Sequence, residues 1–341
     1  MSEAALILLA AGGTGGHLFP AEALGAELMR RGLRVRLVTD DRALRYSGLF
    51  TLLAAGTLKA YGLMRRLGPR AVIGFGGYPT LPPLVAARLA GVPTLIHDAN
   101  AVMGRANKFL SRHVSAIATS LPGVLDHDPS LAAKTTLTGT PMRPAILAAA
   151  GVAYAEPQVG GTLRLLVVGG SQGARVMADV VPPAIERLEP ALWPRLDLVQ
   201  QVRQEDMARV RAVYDQLKIR AELQPFFNDL PARLAACHLV VSRSGAGTVA
   251  ELAAIGRPSI LVPLPGAIDQ DQFANAGVLS RIDAAIRIVQ TDFTPDRLAA
   301  EISSLAAEPA RLADMAERAR GAGRLDAAER LADLVMRVAG L

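Results

Sequence analysis

Two stretches decide the fold of this 341-residue chain: AAGGTGGHLFPAEALG at residues 10–25 and VVGGSQGARVMADVVP at residues 167–182. Each begins in an apolar run and continues through a glycine turn, a small hydroxyl residue and another glycine into a helical pattern. A glycine turn between a strand and a helix exposes backbone N–H groups at the helix N-terminus, which attract phosphate. The repeat therefore predicts two nucleotide-type α/β domains in one chain.

Apolar runs followed by glycine and then by a helical pattern recur along the chain, which is typical of parallel sheets buried on both faces. The expected strands are residues 5–10, 35–40, 71–75, 94–98, 115–120, 163–170, 196–202, 238–244 and 259–265. Residues 144–162 carry Pro and Gly and break this pattern, so we expect the interdomain linker there. We predict two Rossmann-like domains facing across a cleft, at residues 1–150 and 151–341, with the last helix a candidate to pack back on the first domain.

The composition excludes several classes of protein. With 51% hydrophobic and 20% charged residues the chain is not disordered, and no apolar run approaches the roughly 20 residues that span a bilayer. The N-terminal residues lack a basic segment and lead directly into the glycine motif, so we expect a first strand rather than a signal peptide. The single cysteine, Cys237, excludes a disulfide framework, and we interpret it as a buried structural thiol.

The positive charge of the chain lies in its first half. Residues 1–143 contain 16 Lys and Arg against 8 Asp and Glu, whereas residues 144–341 contain 21 against 23. Aromatic residues make up only 4% of the chain and no nucleic-acid module is present, so we expect no nucleic-acid partner. An anionic membrane surface is the better candidate, because each nearby Lys or Arg is worth about 1 kcal/mol there. The alternative is that this positive charge serves only to keep the protein soluble.

Two further glycine turns follow expected strands, GFGGYPT at residues 74–80 and SRSGAG at residues 242–247. Four such turns exceed what one cofactor site needs. The dinucleotide pattern G-x-G-x-x-G is not met, since the sixth residue counted from Gly13 is Leu18. Asp40, at the end of the second expected strand, still keeps a Rossmann oxidoreductase open as an alternative.

Two ionisable residues stand in these turns. His17 is placed at a helix start where a reacting centre could reach it; a structural helix-cap histidine is the alternative. Glu251 lies three residues after Thr248 and could accept hydrogen bonds from ribose hydroxyls. Its alternative role is that of a capping-box partner to Thr248.

In order along the chain, GGTGGHLFPA, GFGGYPT, IHDANAVMGRANK, TGTPMRP, LLVVGGSQGAR and SRSGAGTVAELAAIGRPSILVP resemble the motifs of the MurG family, peptidoglycan N-acetylglucosaminyltransferases with the GT-B fold. The motifs cover nearly the whole chain. The resemblance implies an inverting transfer of N-acetylglucosamine from UDP-N-acetylglucosamine to the C4 hydroxyl of the muramoyl sugar of lipid I, which gives lipid II and UDP. It also implies a peripheral protein at the cytoplasmic face of the cell membrane. A UDP-sugar epimerase, another GT-B transferase and a non-catalytic module that binds nucleotide sugars or anionic lipids are the alternatives.

The resemblance further implies the site residues. His17 is the candidate general base, and Tyr78 and Asn100 belong to the acceptor side. The expected donor-binding residues are Thr14, Gly15, Gly16, Asn100, Arg143, Ser171, Phe227, Ala246, Gly247, Thr248, Val249, Ala250, Glu251, Gln270 and Gln272.

Specific contacts follow for some of these donor residues. Arg143 and Ser171 would meet the diphosphate, and the amide of Phe227 would meet the uracil edge. The sugar hydroxyls would be met by Gln272 or Gln270, because this segment aligns with an ambiguity of one residue. Two D-x-D triplets, at residues 126–128 and 269–271, match a metal pattern only over three letters, so we expect no required metal and no cofactor.

The chain departs from the family pattern in two places. His97-Asp98-Ala99-Asn100 stands where relatives commonly read HEQN, which puts any acceptor contact there in doubt. The segment near residues 39–64 is shorter than in the family, on the side expected to bind the acceptor and the membrane. The apolar residues expected to contact the membrane there are Leu49, Phe50, Leu52, Leu53, Leu63 and Met64.

Overall fold

The computed structural model describes residues 4–12, 15–39, 49–170, 173–266 and 270–341, with the side chains of residues 49–54 left out. The chain forms two compact units: unit 1 comprises Met1–Arg143 and Arg324–Leu341, and unit 2 comprises Pro144–Gly323. The division between Arg143 and Pro144 lies before the boundary expected at residues 150–151. Each unit is an α/β domain built on one parallel sheet.

Unit 1 contains a six-stranded sheet in the order β2-β1-β3-β4-β5-β6, and every neighbouring pair is parallel. Its strands are β1 (Leu6–Ala10), β2 (Arg34–Val38), β3 (Ala71–Gly74), β4 (Thr94–Asp98), β5 (Ala116–Thr119) and β6 (Thr135–Leu137). Its helices are α1 (Gly15–Arg30), α2 (Leu49–Leu67), α3 (Leu81–Leu89), α4 (Arg105–Ser111), α5 (Pro129–Ala132) and α14 (Ala327–Ala339).

Helices cover both faces of this sheet, which explains the continuous apolar sequence of β1. Ile7 packs in a cluster with Leu24 of α1 and Leu331 of α14, whereas Leu8 packs with Met64 of α2 on the other face. Because successive strand residues point to opposite faces, both faces need apolar side chains. Met64 is only 1% exposed, so the expectation that it contacts a membrane is wrong. Leu49, Phe50, Leu52 and Leu53 lie outside the described side chains.

The last helix, α14, belongs to unit 1. Its apolar side chains Leu331 and Val335 are fully buried in the cluster that contains α1. On its polar side, Arg31 Nη1 donates to Asp333 Oδ1 at 2.5 Å, and Arg70 Nη2 donates to the carbonyl of Ala339 at 3.2 Å. The C-terminal helix therefore completes the core of the domain that the N-terminal residues begin.

Unit 2 contains a second six-stranded parallel sheet, in the order β12-β11-β10-β7-β8-β9. Its strands are β7 (Leu163–Val168), β8 (Leu196–Gln201), β9 (Ala221–Gln224), β10 (Leu239–Ser242), β11 (Ser259–Leu261) and β12 (Ala285–Arg287). Its helices are α6 (Pro144–Ala150), α7 (Arg175–Glu186), α8 (Met207–Gln216), α9 (Leu230–Ala236), α10 (Ala246–Ile255), α11 (Asp271–Ser280), α12 (Pro295–Ala307) and α13 (Pro309–Ala322).

A buried cation joins several segments of unit 2. Arg257 is fully buried, and its guanidinium donates to the carbonyls of Leu234 and Ala235 at the end of α9 and of Ile255 and Gly256 at the end of α10. The carbonyl groups that end a helix lack intrahelical partners and carry partial negative charge. Arg257 supplies both the missing donors and the compensating charge.

The structure differs from the sequence-based expectation at several elements. The expected strands do not include β6, β9 and β12. Each of these is short and lies at the edge of its sheet, where a strand does not need a continuous apolar sequence. The first part of the expected linker, residues 144–150, forms α6, with Pro144 at the first helical position. Proline is favoured there because the first N–H of a helix has no partner. Cys237 is buried, as expected, and burial raises the pKa of its thiol to about 12.

The strand orders place the four glycine turns at equivalent positions. In unit 1 the order changes direction between β1 and β3, which precede GGTGGH and GFGGYPT. In unit 2 it changes direction between β7 and β10, which precede GGSQG and SRSGAG. Ligands of open parallel α/β sheets bind at the carboxyl ends of the strands where the order reverses. Each unit therefore presents two glycine turns at the place where its fold binds ligands.

Candidate active site

His17 lies in the first turn of α1, and its ring is oriented by the loop that follows β3. The Nδ1 atom lies 2.8 Å from the carbonyl oxygen of Phe75. A carbonyl oxygen only accepts hydrogen bonds, so Nδ1 carries the hydrogen and Nε2 of the neutral ring keeps its lone pair. The ring nitrogen bonds to a neighbouring loop instead of capping its own helix. The arrangement suits a general base. Thr14 lies outside the described residues.

The glycines of GFGGYPT allow the loop to run along the imidazole ring. Gly76 and Gly77 have φ angles of 91° and 77°, a backbone conformation that other residues rarely adopt. A Cβ atom at Gly76 would lie 3.4 Å from His17 Cε1, and one at Gly77 would lie 3.7 Å from His17 Nε2. Tyr78 follows directly in a short 3₁₀ turn and is exposed. The third glycine turn thus shapes the surroundings of His17.

The side chain of Asp98, at the end of β4, is buried. Its carboxylate accepts hydrogen bonds from the backbone N–H groups of Asn100 at 3.0 Å and Gly104 at 3.1 Å, and from Asn107 Nδ2 at 2.9 Å. Burial raises the pKa of the Asp98 carboxyl, against the opposing effect of these hydrogen bonds. Asp98 therefore shapes the loop that carries Asn100.

His97, on the same strand, is also structural. It is buried, and its Nε2 atom donates to the carbonyl of Gly139 at 2.9 Å. Burial lowers the pKa of His97 to about 4, so the ring is neutral at pH 7. Its hydrogen bond ties β4 to the TGTPMR segment, which ends in Arg143.

Arg143 lies against the first turns of α1. Its Cζ atom is 3.9 Å from the centre of the Phe19 ring, a cation–π contact. The same ring covers Gly15, where a Cβ atom would come within 2.8 Å of Phe19 Cε2. The structure thus brings Arg143 next to the helix start that contains Gly15 and Gly16.

In unit 2, α10 begins at Ala246 with Gly245 as its N-cap, and no acidic residue lies in its first turn. Gly247 and Thr248 are therefore inside the helix, and a capping box from Thr248 to Glu251 is wrong, since that motif needs Thr248 at the N-cap. The first N–H groups of a helix have no intrahelical partner, so they are available to an anion. The rest of the predicted run, Val249, Ala250 and Glu251, occupies the following turn.

The remaining predicted donor residues lie at the same edge of the unit 2 sheet. Phe227 follows β9 with its ring buried beneath Arg233, so only its backbone could meet a ligand. Gln272, near the start of α11, accepts from the N–H of Leu264 at 3.0 Å through Oε1, and Gln270 has a φ of 49° at the N-cap. Ser171 lies outside the described residues.

Residues that sequence reasoning did not single out hold these loops. Arg243 Nη1 donates to the carbonyls of Val262 and Pro263 at 3.1 and 3.0 Å, and its Nη2 donates to Gln290 Oε1 at 2.6 Å. Ser244 Oγ donates to the carbonyl of Gln272 at 2.8 Å. These contacts join the loops after β10 and β11. The only sequence signal is a polar side chain directly after an apolar strand.

Comparison with sequence families gives matches over both units. The Glycosyltransferase family 28 N-terminal domain matches residues 7–47 and 45–119, and the Glycosyltransferase family 28 C-terminal domain matches residues 164–331. The chain is 76% identical, over 365 positions and 100% of both chains, to the UDP-N-acetylglucosamine--N-acetylmuramyl-(pentapeptide) pyrophosphoryl-undecaprenol N-acetylglucosamine transferase of Bradyrhizobium sp. strain BTAi1.

The alignment with this relative spans more positions than the 341 residues of the chain, so the relative contains residues that this chain lacks. The N-terminal family match consists of two parts that overlap at residues 45–47. This division lies within the segment near residues 39–64 that the sequence predicts to be short.

Comparison with solved structures gives matches over almost the whole chain. The crystal structure of Acinetobacter baumannii MurG matches with a TM-score of 0.81 and 30% identity, covering 98% of this chain and 100% of that one. A putative UDP-N-acetylglucosamine 2-epimerase from Listeria monocytogenes matches with a TM-score of 0.71 at 13% identity, covering 98% and 96%. The second match shows a shared fold alone.

Proposed function

This chain belongs to the MurG family of family 28 glycosyltransferases, and we propose that it transfers N-acetylglucosamine from UDP-N-acetylglucosamine to the muramoyl sugar of lipid I in peptidoglycan synthesis. It is a glycosyltransferase with the GT-B fold. The observation that carries the proposal is the identity of 76% to a named transferase over the full length of both chains. The likeness to an epimerase, at 13% identity, extends to the fold only.

The loops of unit 2 are suited to the UDP part of the donor. The N-terminus of α10 offers backbone N–H groups with no acidic side chain in its first turn. Such a helix end stabilises an anion by up to about 2 kcal/mol in good geometry. Glu251, in the following turn, is suited to accept hydrogen bonds from ribose hydroxyls, and the backbone of Phe227 to meet the uracil edge.

Sugar and diphosphate contacts complete the proposed donor site. Gln272 uses Oε1 to accept from Leu264, so its Nε2 group is the part suited to donate to a sugar hydroxyl. Gln270 is the second candidate for this contact. Ser171, by resemblance to the family, and Arg143, which stacks on the Phe19 ring near the start of α1, would bind the diphosphate and stabilise the UDP leaving group.

His17 is the proposed general base. Its Nδ1–H is held by the Phe75 carbonyl, so Nε2 can accept the proton of the C4 hydroxyl as that oxygen attacks the anomeric carbon. The bond from the anomeric carbon to the UDP oxygen breaks in the same displacement, which inverts the configuration at that carbon. Tyr78 and Asn100 would position the acceptor, and Asp98 acts through the shape of the loop that carries Asn100.

No cation has a role in this proposal. Asp128, in the first D-x-D triplet, accepts from the N–H groups of Ser130 and Leu131 and so caps α5. Asp271, in the second triplet, accepts from the N–H of Gln272. Both carboxylates therefore have local structural partners. Loss of transfer in EDTA, with recovery on adding magnesium, would contradict this part of the proposal.

A peripheral position at the cytoplasmic face of the membrane is the proposed location. Among the described residues, no helix is both long and apolar enough to cross a bilayer. Leu58 of α2, Leu89 of α3 and Phe109 of α4 are exposed, and Arg88 Nη1 donates to the His113 carbonyl at 2.7 Å, which ties the end of α3 to the end of α4. Exposed apolar groups beside basic ones suit a membrane interface. Binding to anionic vesicles should weaken as salt rises.

The experiment that tests the function is incubation of the full chain with UDP-N-acetylglucosamine and a lipid I analogue. We expect the disaccharide product and one UDP for each product formed. An epimerase would change the donor sugar without an acceptor, and a binding module would consume no donor. Either result would overturn the proposal.

A further inference from the structure

Gln201, the last residue of β8, connects two loops that are far apart in sequence. Its Oε1 atom accepts from the N–H of Gly169 at 2.9 Å, and its Nε2 atom donates to the carbonyl of Pro225 at 3.2 Å. The side chain is buried, and the two backbone partners fix which end of the amide is the oxygen. One amide thus joins the loop after β7 to the segment after β9.

These are the two segments of unit 2 to which the proposed function assigns opposite ends of UDP. Gly169 opens GGSQG, the turn assigned to the diphosphate, and Pro225 precedes Phe227, whose backbone is assigned to the uracil. The inference therefore rests on the proposed function. The covalent structure of a nucleoside diphosphate limits the distance between its base and its phosphates, so its affinity depends on the separation of these two loops.

The described residues at the two ends of the loop after β7 are held close together. A Cβ atom on Gly169 would lie 2.1 Å from the backbone nitrogen of Ala174, so the two ends of the turn are in close contact. Arg203, two residues after Gln201, donates through Nη2 to the carbonyl of Gly173 at 3.0 Å. The residues at the end of β8 therefore hold both ends of the turn.

We propose that Gln201 is a positioning residue for the donor, which sets the separation between the diphosphate turn and the uracil segment. Without its amide, each loop keeps its own fold but loses the connection to the other. Ligands that contact both loops should then lose more affinity than ligands that contact one. Uridine alone should be affected less than UDP.

Gln200, the preceding residue, is a matched control. It is fully buried on the same strand, but it accepts from Tyr214 Oη at 2.5 Å and donates to the carbonyl of Met177 at 3.3 Å. Both partners lie on helices, α8 and α7. Its replacement should lower stability without altering the separation of the two loops.

The experiment compares Gln201→Met with Gln200→Met, two near-isosteric replacements. UDP and uridine affinities are measured by calorimetry, and folding is followed by thermal melting. We expect the ratio of UDP to uridine affinity to fall about tenfold in Gln201→Met, as for the loss of one or two buried hydrogen bonds. In Gln200→Met the ratio should stay at the wild-type value even though the melting temperature falls. In turnover, the Gln201 variant should show a raised KM for the donor and an unchanged KM for the acceptor.

A second variant, Gln201→Glu, serves if the Met variant does not fold. Its carboxylate keeps an acceptor for Gly169 but places an oxygen against the Pro225 carbonyl, so the ratio should fall here too. A folded Gln201 variant with the wild-type ratio would overturn the positioning role, as would an equal fall in the Gln200 variant. Failure of the wild-type chain to bind UDP at all would instead overturn the proposed function, so the two failures are distinguishable.

Discussion

Each of the two units has a parallel sheet with two glycine turns at the place where the strand order reverses. Different kinds of side chain hold the neighbouring loops in the two units. In unit 1, His17 lies in the first turn of α1 with its ring held by the Phe75 carbonyl, and His97 and Asp98 lie at the end of β4. In unit 2, the loops are held by the amide of Gln201 and the guanidinium of Arg243. Histidine and carboxylate side chains therefore shape the loops of unit 1, whereas an amide and a guanidinium join the loops of unit 2. The proposed function places the general base in unit 1 and the uridine contacts in unit 2.

The largest expected effect separates the chemistry of unit 1 from donor binding. His17→Ala should lower kcat by about 10²–10⁴, because the acceptor hydroxyl loses its base. UDP affinity, measured by calorimetry, should stay near the wild-type value if binding resides mainly in unit 2. His127→Ala, at an exposed histidine of unit 1, is the control and should keep full activity. A His17 variant that turns over at the wild-type rate would remove His17 from the mechanism.

The next effect concerns the fixed charges of unit 2. Arg257→Met should destabilise the chain by about 3–5 kcal/mol, because several buried carbonyls lose their donor at once. The exposed Arg297, which pairs with Glu301 on α12, is the control, and Arg297→Met should cost less than about 1 kcal/mol. Urea unfolding of the two variants measures the difference. Equal losses of unfolding free energy in the two variants would show that the buried hydrogen bonds of Arg257 stabilise the chain no more than an exposed ion pair does.

The third prediction concerns acid sensitivity. Burial lowers the pKa of His97 to about 4, so between the unfolded value of 6.5 and pH 4 the unfolded chain binds a proton that the folded chain does not. Stability is therefore fully present above pH 6.5 and is lost as the pH falls towards 4, by on the order of 3 kcal/mol. His97→Gln, whose amide can still donate to Gly139, should flatten this loss.

Unit 2 offers the matching variant for the same measurement. Burial, assisted by the positive charges of Arg164 and Arg257, lowers the pKa of His238 to about 4 as well. Thermal melting from pH 4.5 to 7 should therefore show a weaker acid dependence in both His97→Gln and His238→Gln. An unchanged acid dependence in His97→Gln would contradict the role given to its burial.

The smallest expected effect is a gain in stability that comes with a loss of UDP affinity. Gly247 lies inside α10, and a Cβ atom there would meet nothing within 4 Å. Gly247→Ala should therefore stabilise unit 2 by about 0.5–1 kcal/mol, since alanine favours a helix over glycine. If the donor packs against this turn, UDP affinity should fall in the same variant. In contrast, Gly77→Ala should destabilise unit 1, because its φ is 77°. Tighter UDP binding by Gly247→Ala would argue against a donor contact at this position.

Sequence reasoning reached the parts of the fold that have a strong local signal. Central strands such as LILLA, and LRLLVV apart from Arg164, are apolar because helices bury both faces of each sheet. Edge strands such as β6 and β12 have only three residues, and their pattern is too short to identify. The proline at residue 144 predicts a break in the pattern and hence a linker, but proline is also favourable at the start of a helix, and a helix forms there.

The residues of the candidate site likewise divide into those with a local sequence signal and those without one. The glycine turns and His17 could be found from local sequence, because a turn before a helix has a recognisable composition. The roles of Asp98 and Gln201 could not, since their partners come from segments that only the folded chain brings together. A polar residue at the end of a strand indicates that something is hydrogen-bonded there, but not which loop.

The position of α14 has a consequence for biosynthesis. The face of the unit 1 sheet that contains Ile7 and Ala71 is covered in part by Leu331 and Val335. These residues leave the ribosome after all of unit 2 has been made. During translation the first domain therefore emerges with part of its apolar face uncovered, and it can reach its final packing only after the second domain is synthesised. A ribosome-bound chain that stops before residue 324 should bind chaperones more strongly than the released protein.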